Sequence, residues 1–368
     1  MNEKIALTIK PTMNCNMKCK HCFNGDVLNY SEMIDIRLVY FFIEAACKEY
    51  KEVKVTFHGG EPTLAGDDFY EKIFKFQKEM KIKYGVDFHN YFTTNAIQLS
   101  ERLMKLLIEH DTLINISFDG PYNHLLRQNG DIVYKKILKV KELGGRIRVF
   151  CTISKDSCEN LLEIYEWFKY RNIDFKILPI EARGYAAIDK ELLMDTDKFI
   201  DALTRTYRRW ITDKDCKIRL YTFEEFIALR RDTQFKPFWF NREIALNPDG
   251  GIYPFGRPND VQFCLGRPSE TLKISDCFES DEYKRMLEIL ENMREKCKNC
   301  PSSGVCNGVC ICMSYMYVQD ENLLNYSCNQ SNRIFESILN INDEIMRDME
   351  TNNYDKYTDT VKSKYLEK

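Results

Sequence analysis

From Lys4 to about Pro179, short β-branched or aromatic runs alternate with amphipathic stretches. Runs at Ile5–Ile9, Val53–Phe57, Phe88–Thr93, Leu113–Phe118, Arg146–Ile153 and Asp174–Leu178 predict strands. The stretches between them repeat at helical spacing. Glu32–Tyr50, behind Ser31 as N-cap, puts Ile34, Leu38, Phe41 and Ala45 on one stripe. Asp68–Tyr84, Glu101–His110, Ile132–Leu143 and Cys158–Tyr170 read the same way, and Gly144-Gly145 is a helix stop. Six strand–helix repeats predict an α/β fold with a parallel sheet and right-handed crossovers, curved toward a barrel. Six units is two short of a closed (β/α)8 barrel. Periodicity alone leaves a partial barrel and a doubly wound sheet both open.

A helical bridging segment follows at roughly Asp195–Arg231. From Phe238 the periodicity fades and Pro, Gly and Cys become frequent, apart from a charged helix near Asp281–Lys296. Ile244–Tyr253 reads as a hairpin turning at Asn247–Gly251. The end of the chain is polar, with a helix near Ile334–Met349 and a tail expected to be loose. These shifts divide the chain into a barrel (1–184), a bridging region (185–237), a cysteine-rich domain (238–335) and a C-terminal helix with tail (336–368).

Lys plus Arg total 53 against 56 Asp plus Glu, a net charge of −3, which gives no electrostatic reason to expect a nucleic-acid partner or an anionic membrane surface. No apolar run is long enough to span a bilayer, and the first residues lack a signal-peptide pattern. A cytoplasmic protein is expected. The 15 cysteines are then unusual, because a large non-exported chain has little use for a disulfide framework. They are also unevenly placed: three at Cys15, Cys19 and Cys22, and eight from Cys264 onward. Clustered cytosolic cysteines usually hold metal, and the scattered Cys47, Cys151, Cys158 and Cys216 read as small buried hydrophobes.

Directly after the first strand, Cys15-Asn-Met-Lys-Cys19-Lys-His-Cys22 spaces three thiols as C-x3-C-x2-C. Three thiolates can cap three irons of a [4Fe–4S] cube and leave the fourth iron open for chemistry. The other reading is a zinc site with His21 as fourth ligand, but His21 is adjacent to Cys22, a poor spacing for a tetrahedral chelate. The triad resembles the signature of the radical S-adenosylmethionine (radical SAM) superfamily. That resemblance implies that S-adenosylmethionine chelates the open iron, and that a 5′-deoxyadenosyl radical then takes a hydrogen atom from substrate. Further segments at strand ends resemble the same family. His58-Gly59-Gly60-Glu61-Pro62 is similar to its GGEP segment, where backbone and carboxylate hold the methionine ammonium. Asn95 after the third strand and Ser117 after the fourth match segments near the ribose and methionyl group, and Arg127 would grip the carboxylate. His21 stands where the family often has Tyr or Phe beside the cluster.

Cys297-x2-Cys300-x5-Cys306-x3-Cys310, with Cys312 and Cys328 beyond, resembles the SPASM extension of peptide- and protein-modifying radical enzymes. Read without that resemblance, four thiolates at these spacings suit structural zinc equally well. The resemblance assigns one auxiliary [4Fe–4S] cluster to Cys297, Cys300, Cys306 and Cys328. A second would need Cys310 plus cysteines flanking the hairpin, and there this chain has Phe255-Gly256, with Cys264 near but not at the family position. Two clusters in total are expected. The implied function is a radical SAM/SPASM maturase that crosslinks (thioether, C–C or C–O), epimerises or oxidises a residue of a ribosomal precursor peptide or protein. A flavodoxin- or ferredoxin-type electron donor is implied. Because the chain starts at the first strand, leader recognition is expected to fall to a separate leader-binding protein or to the barrel and SPASM surfaces. The run His58–Gly66 also resembles the anaerobic sulfatase-maturating enzymes, which form formylglycine and carry a Cys-Asp pair where this chain has Phe255-Gly256. A zinc-stabilised scaffold that binds peptides without chemistry is the remaining alternative. Tyr185, Glu181 and Asp119 are candidates for proton transfer.

Overall fold

The computed structural model describes residues 2–25, 32–229, 243–256, 261–294, 297–303, 305–306 and 320–366. Six parallel strands form the expected sheet: β1 (Asn2–Ile9), β2 (Tyr50–Phe57), β3 (Asp87–Thr94), β4 (Leu113–Ser117), β5 (Ile147–Ile153) and β6 (Phe175–Pro179). Helices α1 (Ile36–Glu49), α2 (Asp67–Tyr84), α3 (Glu101–Glu109), α4 (Asn123–Leu126), α5 (Gly130–Glu142) and α6 (Leu161–Tyr170) fill the crossovers. Along β2 the side chains alternate. Val53, Val55 and Phe57 are fully buried, and Phe57 packs edge-on against Tyr70 and Phe74 of α2. Lys54 and Thr56 therefore face the opposite, concave side. One sheet face is thus apolar and helix-covered, and the other is polar and lines the barrel.

The sheet runs β6-β5-β4-β3-β2-β1-β7-β8 and is a partial barrel. Here β7 (Glu243–Leu246) pairs parallel to β1, and β8 (Ile252–Pro254) closes the expected hairpin against β7. The composition boundary at 238 is therefore not a boundary of the sheet: the hairpin of the cysteine-rich region extends the barrel wall. Between β6 and β7 lie α7 (Tyr185–Ile188), α8 (Thr196–Ile211) and α9 (Tyr221–Ile227), and after β8 come α10 (Ile274–Glu279), α11 (Asp281–Arg294), α12 (Glu321–Glu350) and α13 (Asp359–Leu366).

Three expectations change. Helix α1 starts at Ile36, capped by Asp35, whose carboxylate accepts the Arg37 N–H at 2.9 Å. The chain before it is instead bridged to the first loop through Thr12 and Met33. Ser31 lies outside the described residues. Helix α12 has 30 residues because Asp320 caps it and its polar positions are used internally. Asn342, for example, donates to Phe226 O and Leu229 O and accepts from Tyr207. The polar tail is docked: Tyr357 and Val361 are buried and Thr358 N donates to Ile211 O at the end of α8.

Candidate active site

The loop leaving β1 carries Cys15, Cys19 and Cys22, all half-buried, at the C-terminal end of the sheet, where parallel-sheet sites form. Backbone hydrogen bonds hold it from several sides. Gly60 N donates to Thr12 O at 3.0 Å, Glu61 N to Asn14 O at 2.7 Å, Lys20 N to Leu126 O at 3.0 Å and Tyr185 N to Cys22 O at 3.1 Å. The glycines of the β2 loop serve this packing. A Cβ on Gly60 would lie 2.2 Å from Asn14 O, and one on Gly59 2.4 Å from Thr12 O. The close approach that the Gly-Gly pair permits is made by the cysteine loop itself. Gly184, at φ +57, does the same on the far side, where a Cβ would sit 2.3 Å from Cys22 O. Nothing in the spacing around Gly184 marked it in advance.

Glu61 is the hub beneath the triad. Its Oε1 accepts from Thr63 N (3.0 Å), Thr63 Oγ1 (2.7 Å) and Thr94 Oγ1 (2.6 Å), and its Oε2 from Asn95 N (2.7 Å). Burial raises its carboxyl pKa, and these four donors oppose the rise. Oε2 carries one bond and keeps acceptor capacity for a cationic group. Glu61 also aims Asn95, whose amide donates to Asn16 Oδ1 at 2.7 Å and points at Cys15 Sγ at 3.7 Å.

Arg127 has four protein partners around the triad. It is buried against the triad, with Nε donating to Asp119 Oδ2 at 2.9 Å and Nη1 to Cys19 Sγ at 3.5 Å. Nη2 reaches His21 Nε2 at 3.1 Å and Thr152 Oγ1 at 3.0 Å. Four of five guanidinium N–H groups are used, so no parallel pair is left to grip a carboxylate bidentately. Arg127 can only donate, so His21 Nε2 accepts, the His21 proton sits on Nδ1, and Nε2 is not available to a metal. Burial and then the Arg127 charge hold the His21 pKa well below its ordinary value. Asp119 spends its other oxygen on Thr152 N at 2.7 Å, which makes it the counter-ion of Arg127 rather than a proton carrier. Burial, the largest influence, raises its carboxyl pKa against the pull of Arg127.

Ser117 ends β4 half-buried, and the His58 ring meets Phe23 edge-on at 5.9 Å. Glu181 is paired with Arg183 at 2.7 Å, and Tyr185 begins α7 beside Cys22. Lys10, which motif reading passed over, is buried where β1 enters the loop. Burial and Arg183 lower its pKa to about 7, with Asp249 and Glu243 opposing. An isolated lysine directly after an apolar strand and before Pro11 was the available signal.

In the C-terminal region, Cys297, Cys300 and Cys306 are half-buried on one short loop, and Cys328 lies on α12. Ser302 links the two by donating to Asn332, one turn after Cys328. Cys310 and Cys312 lie outside the described residues. Cys264 donates to Gly266 O at 3.4 Å, under the hairpin. Phe255 is buried at φ +61, and a Cβ at Gly256 would be 3.2 Å from Thr8 Oγ1 and 3.5 Å from Glu243 Oε1.

The triad fits an iron–sulfur cluster. Burial raises the pKa of all three thiols, Cys15 to about 11, so a metal is needed to hold them as thiolates. Asn95 and Arg127 already direct N–H groups at two of the sulfurs, and Asn16 Nδ2 and His21 Nδ1 are buried donors without a hydrogen-bond partner. This donor-rich shell suits anionic sulfur.

Residues 9–167 match the Radical SAM superfamily. The cysteine-type anaerobic sulfatase-maturating enzyme of Clostridium perfringens is 25% identical over 361 residues, covering 90% of this chain and 95% of the relative. The serine-type enzyme of Klebsiella aerogenes is 22% identical, covering 80% and 76%. Among solved structures, native anSMEcpe with bound AdoMet and Cp18Cys peptide has the same fold, with a TM-score of 0.77 at 20% identity over 93% of this chain and 99% of that one. Streptococcus suis SuiB bound to precursor peptide SuiA has a TM-score of 0.56 at 17% identity over 78% and 67%. A cysteine triad inside a donor-rich shell at the end of a parallel partial barrel, together with these matches, makes residues 9–167 a Radical SAM domain, in a chain similar over most of its length to the anaerobic sulfatase-maturating enzymes.

Proposed function

We propose that the protein modifies a side chain or α-carbon of a ribosomally made peptide, leaving a crosslinked, epimerised or oxidised residue. The observation that carries this reading is the hairpin, where Phe255 and Gly256 stand in place of the Cys-Asp pair of the sulfatase-maturating enzymes. Neither Phe255 nor Gly256 supplies a thiol or a carboxylate, and the carboxylate nearest Gly256 among the described residues is that of Glu243 on β7. When bound, the cluster and S-adenosylmethionine supply one-electron reduction and hydrogen-atom abstraction. Cys15, Cys19 and Cys22 hold the cluster. Glu61 orients the methionyl ammonium through Oε2 and, through Asn95, braces the loop that carries Cys15. Arg127, braced by His21, covers Cys19 and offsets its charge, while His58, Gly59, Gly60 and Ser117 frame the cofactor at the strand ends. Cys297, Cys300, Cys306 and Cys328 hold one auxiliary cluster. Electrons come from a flavodoxin- or ferredoxin-type donor, and leader recognition falls to a separate protein or to the barrel surface.

The second reading is formylglycine formation in a sulfatase. It is favoured by the near full-length match to the Clostridium perfringens enzyme. Mass spectrometry separates the two. Incubation of the reconstituted enzyme with a cysteine-bearing sulfatase peptide yields an aldehyde product under the second reading. No aldehyde, with modification of a short peptide encoded beside the gene, is the outcome expected here.

A further inference from the structure

The concave face of the barrel carries a chemistry that cofactor binding does not use. On β2, Lys54 lies between the helix-packed Val53 and Val55. On β5, Arg148 and Phe150 alternate with the buried Val149 and Cys151. Strand register sets Lys54 beside Ala6 and His89, and sets Arg148 beside Asn115. Both cations are held by neutral groups. Lys54 Nζ stands 4.7 Å from the centre of the Tyr91 ring. The Arg148 guanidinium lies 5.0 Å from both the Phe150 and Tyr221 rings, and its Nε donates to Asn115 Oδ1 at 3.0 Å.

Among the described residues neither cation forms an ion pair, whereas Lys176 on the same face is matched by Glu225 at 2.6 Å. Aromatic faces position a cation without neutralising it. Glu243 reaches this face from β7, but its Oε1 accepts from Thr8 at 3.3 Å rather than from either cation. Lys54 is exposed and Arg148 half-buried, so both charges stay within reach of an anion that enters the barrel. Burial lowers the pKa of both, and at Lys54 Arg148 and Lys176 add to the depression while Glu243 opposes it. Tyr91, whose ring carries the Lys54 ammonium, is also among the groups that act on Arg148.

We propose that Lys54 and Arg148 together bind a carboxylate of the substrate, so that the peptide presents an anionic group inside the barrel. The inference rests on the peptide reading above. A guanidinium offers a two-pronged grip and an ammonium a mobile point charge, a combination suited to a carboxylate. The carboxylate is either an acidic side chain or a peptide C-terminus.

The test is calorimetric titration of the anaerobically reconstituted enzyme with S-adenosylmethionine present. Four probes are used: N-acetylglutamate amide, an acetylated and amidated hexapeptide with one central glutamate, its glutamine isostere, and that isostere with a free C-terminal carboxylate. Wild type should bind the glutamate hexapeptide or the free-carboxylate peptide about 10-fold or more tightly than the neutral isostere, and which one does so identifies the source. The preference should collapse in Lys54→Gln and in Arg148→Gln, fall with added salt, and return in Lys54→Arg. The rescue, with melting temperatures alongside, separates binding from misfolding. Equal binding of acidic and neutral probes, or a preference that survives the double substitution, overturns the site. If N-acetylglutamate amide alone binds with the same dependence on both residues, the anion site stands and the peptide reading fails.

Discussion

Arg127 and Asp119 form a buried ion pair, 2.9 Å between Nε and Oδ2, whose guanidinium also touches Cys19 and His21. The pair links the end of β4 to the triad and to Thr152 of β5. Removing one member of such a pair leaves the other buried and uncompensated. Arg127→Met should therefore lower unfolding stability by roughly 3–5 kcal/mol. Arg127→Lys should recover only part, because lysine lacks the fork that reaches four partners. Urea denaturation under anaerobic conditions measures both, and an Arg127→Met protein as stable as wild type would remove the pair from the structural account.

Gly60→Ala tests the packing of the two loops. Its Cβ would meet Asn14 O and Met13 O at 2.2 and 2.3 Å, and both contacts are backbone, so the cysteine loop has to move. The expected result is a loss of about 1–3 kcal/mol in stability together with impaired cluster loading. Full iron content in this variant would show that the loop tolerates the shift.

Lys10 gives a pH signature. Its pKa falls from 10.5 to about 7 on folding, mainly through burial, so between these values the unfolded chain binds more protons than the native one. Stability should rise with pH across that window, by up to about 1.4 kcal/mol per unit, and the Lys10 contribution should be flat below it. The difference in urea midpoint between wild type and Lys10→Met, followed from pH 6 to about 10 (the two pKa values bracket this window), checks it. A difference that does not change with pH assigns Lys10 an ordinary pKa.

Iron stoichiometry tests the two-cluster proposal. Four thiolates saturate a cube, so Cys297, Cys300, Cys306 and Cys328 account for one auxiliary cluster, and the reconstituted protein should hold roughly 8 irons per chain. A value near 12, by metal analysis with Mössbauer spectroscopy, would mean that Cys264, Cys310 and Cys312 take part in a third.

Much of this was readable in the sequence where one signal dominates. The strands of the barrel are short β-branched runs separated by amphipathic helices, and their ends fall within a few residues of the expected places. The triad and Gly59-Gly60-Glu61 were legible as motifs because they are contiguous. What escaped is long-range. That β7 would join β1 depends on pairing across more than two hundred residues, which no local periodicity encodes. The partners of Arg127 come from three separate segments, so its place against the triad could not be read from spacing. Lys54 and Arg148 look like solvated positions in a strand pattern, and their stacking on Tyr91 and on Phe150 and Tyr221 depends on pairings between strands that no local pattern encodes.

The central claim is that Cys15, Cys19 and Cys22 drive reductive cleavage of S-adenosylmethionine. The direct measurement is 5′-deoxyadenosine formation by anaerobically reconstituted protein with dithionite, comparing wild type with the triple variant Cys15→Ala, Cys19→Ala, Cys22→Ala. The triple variant should form no 5′-deoxyadenosine while keeping about 4 irons on its C-terminal cysteines. Cleavage at the wild-type rate in that variant would contradict the assignment.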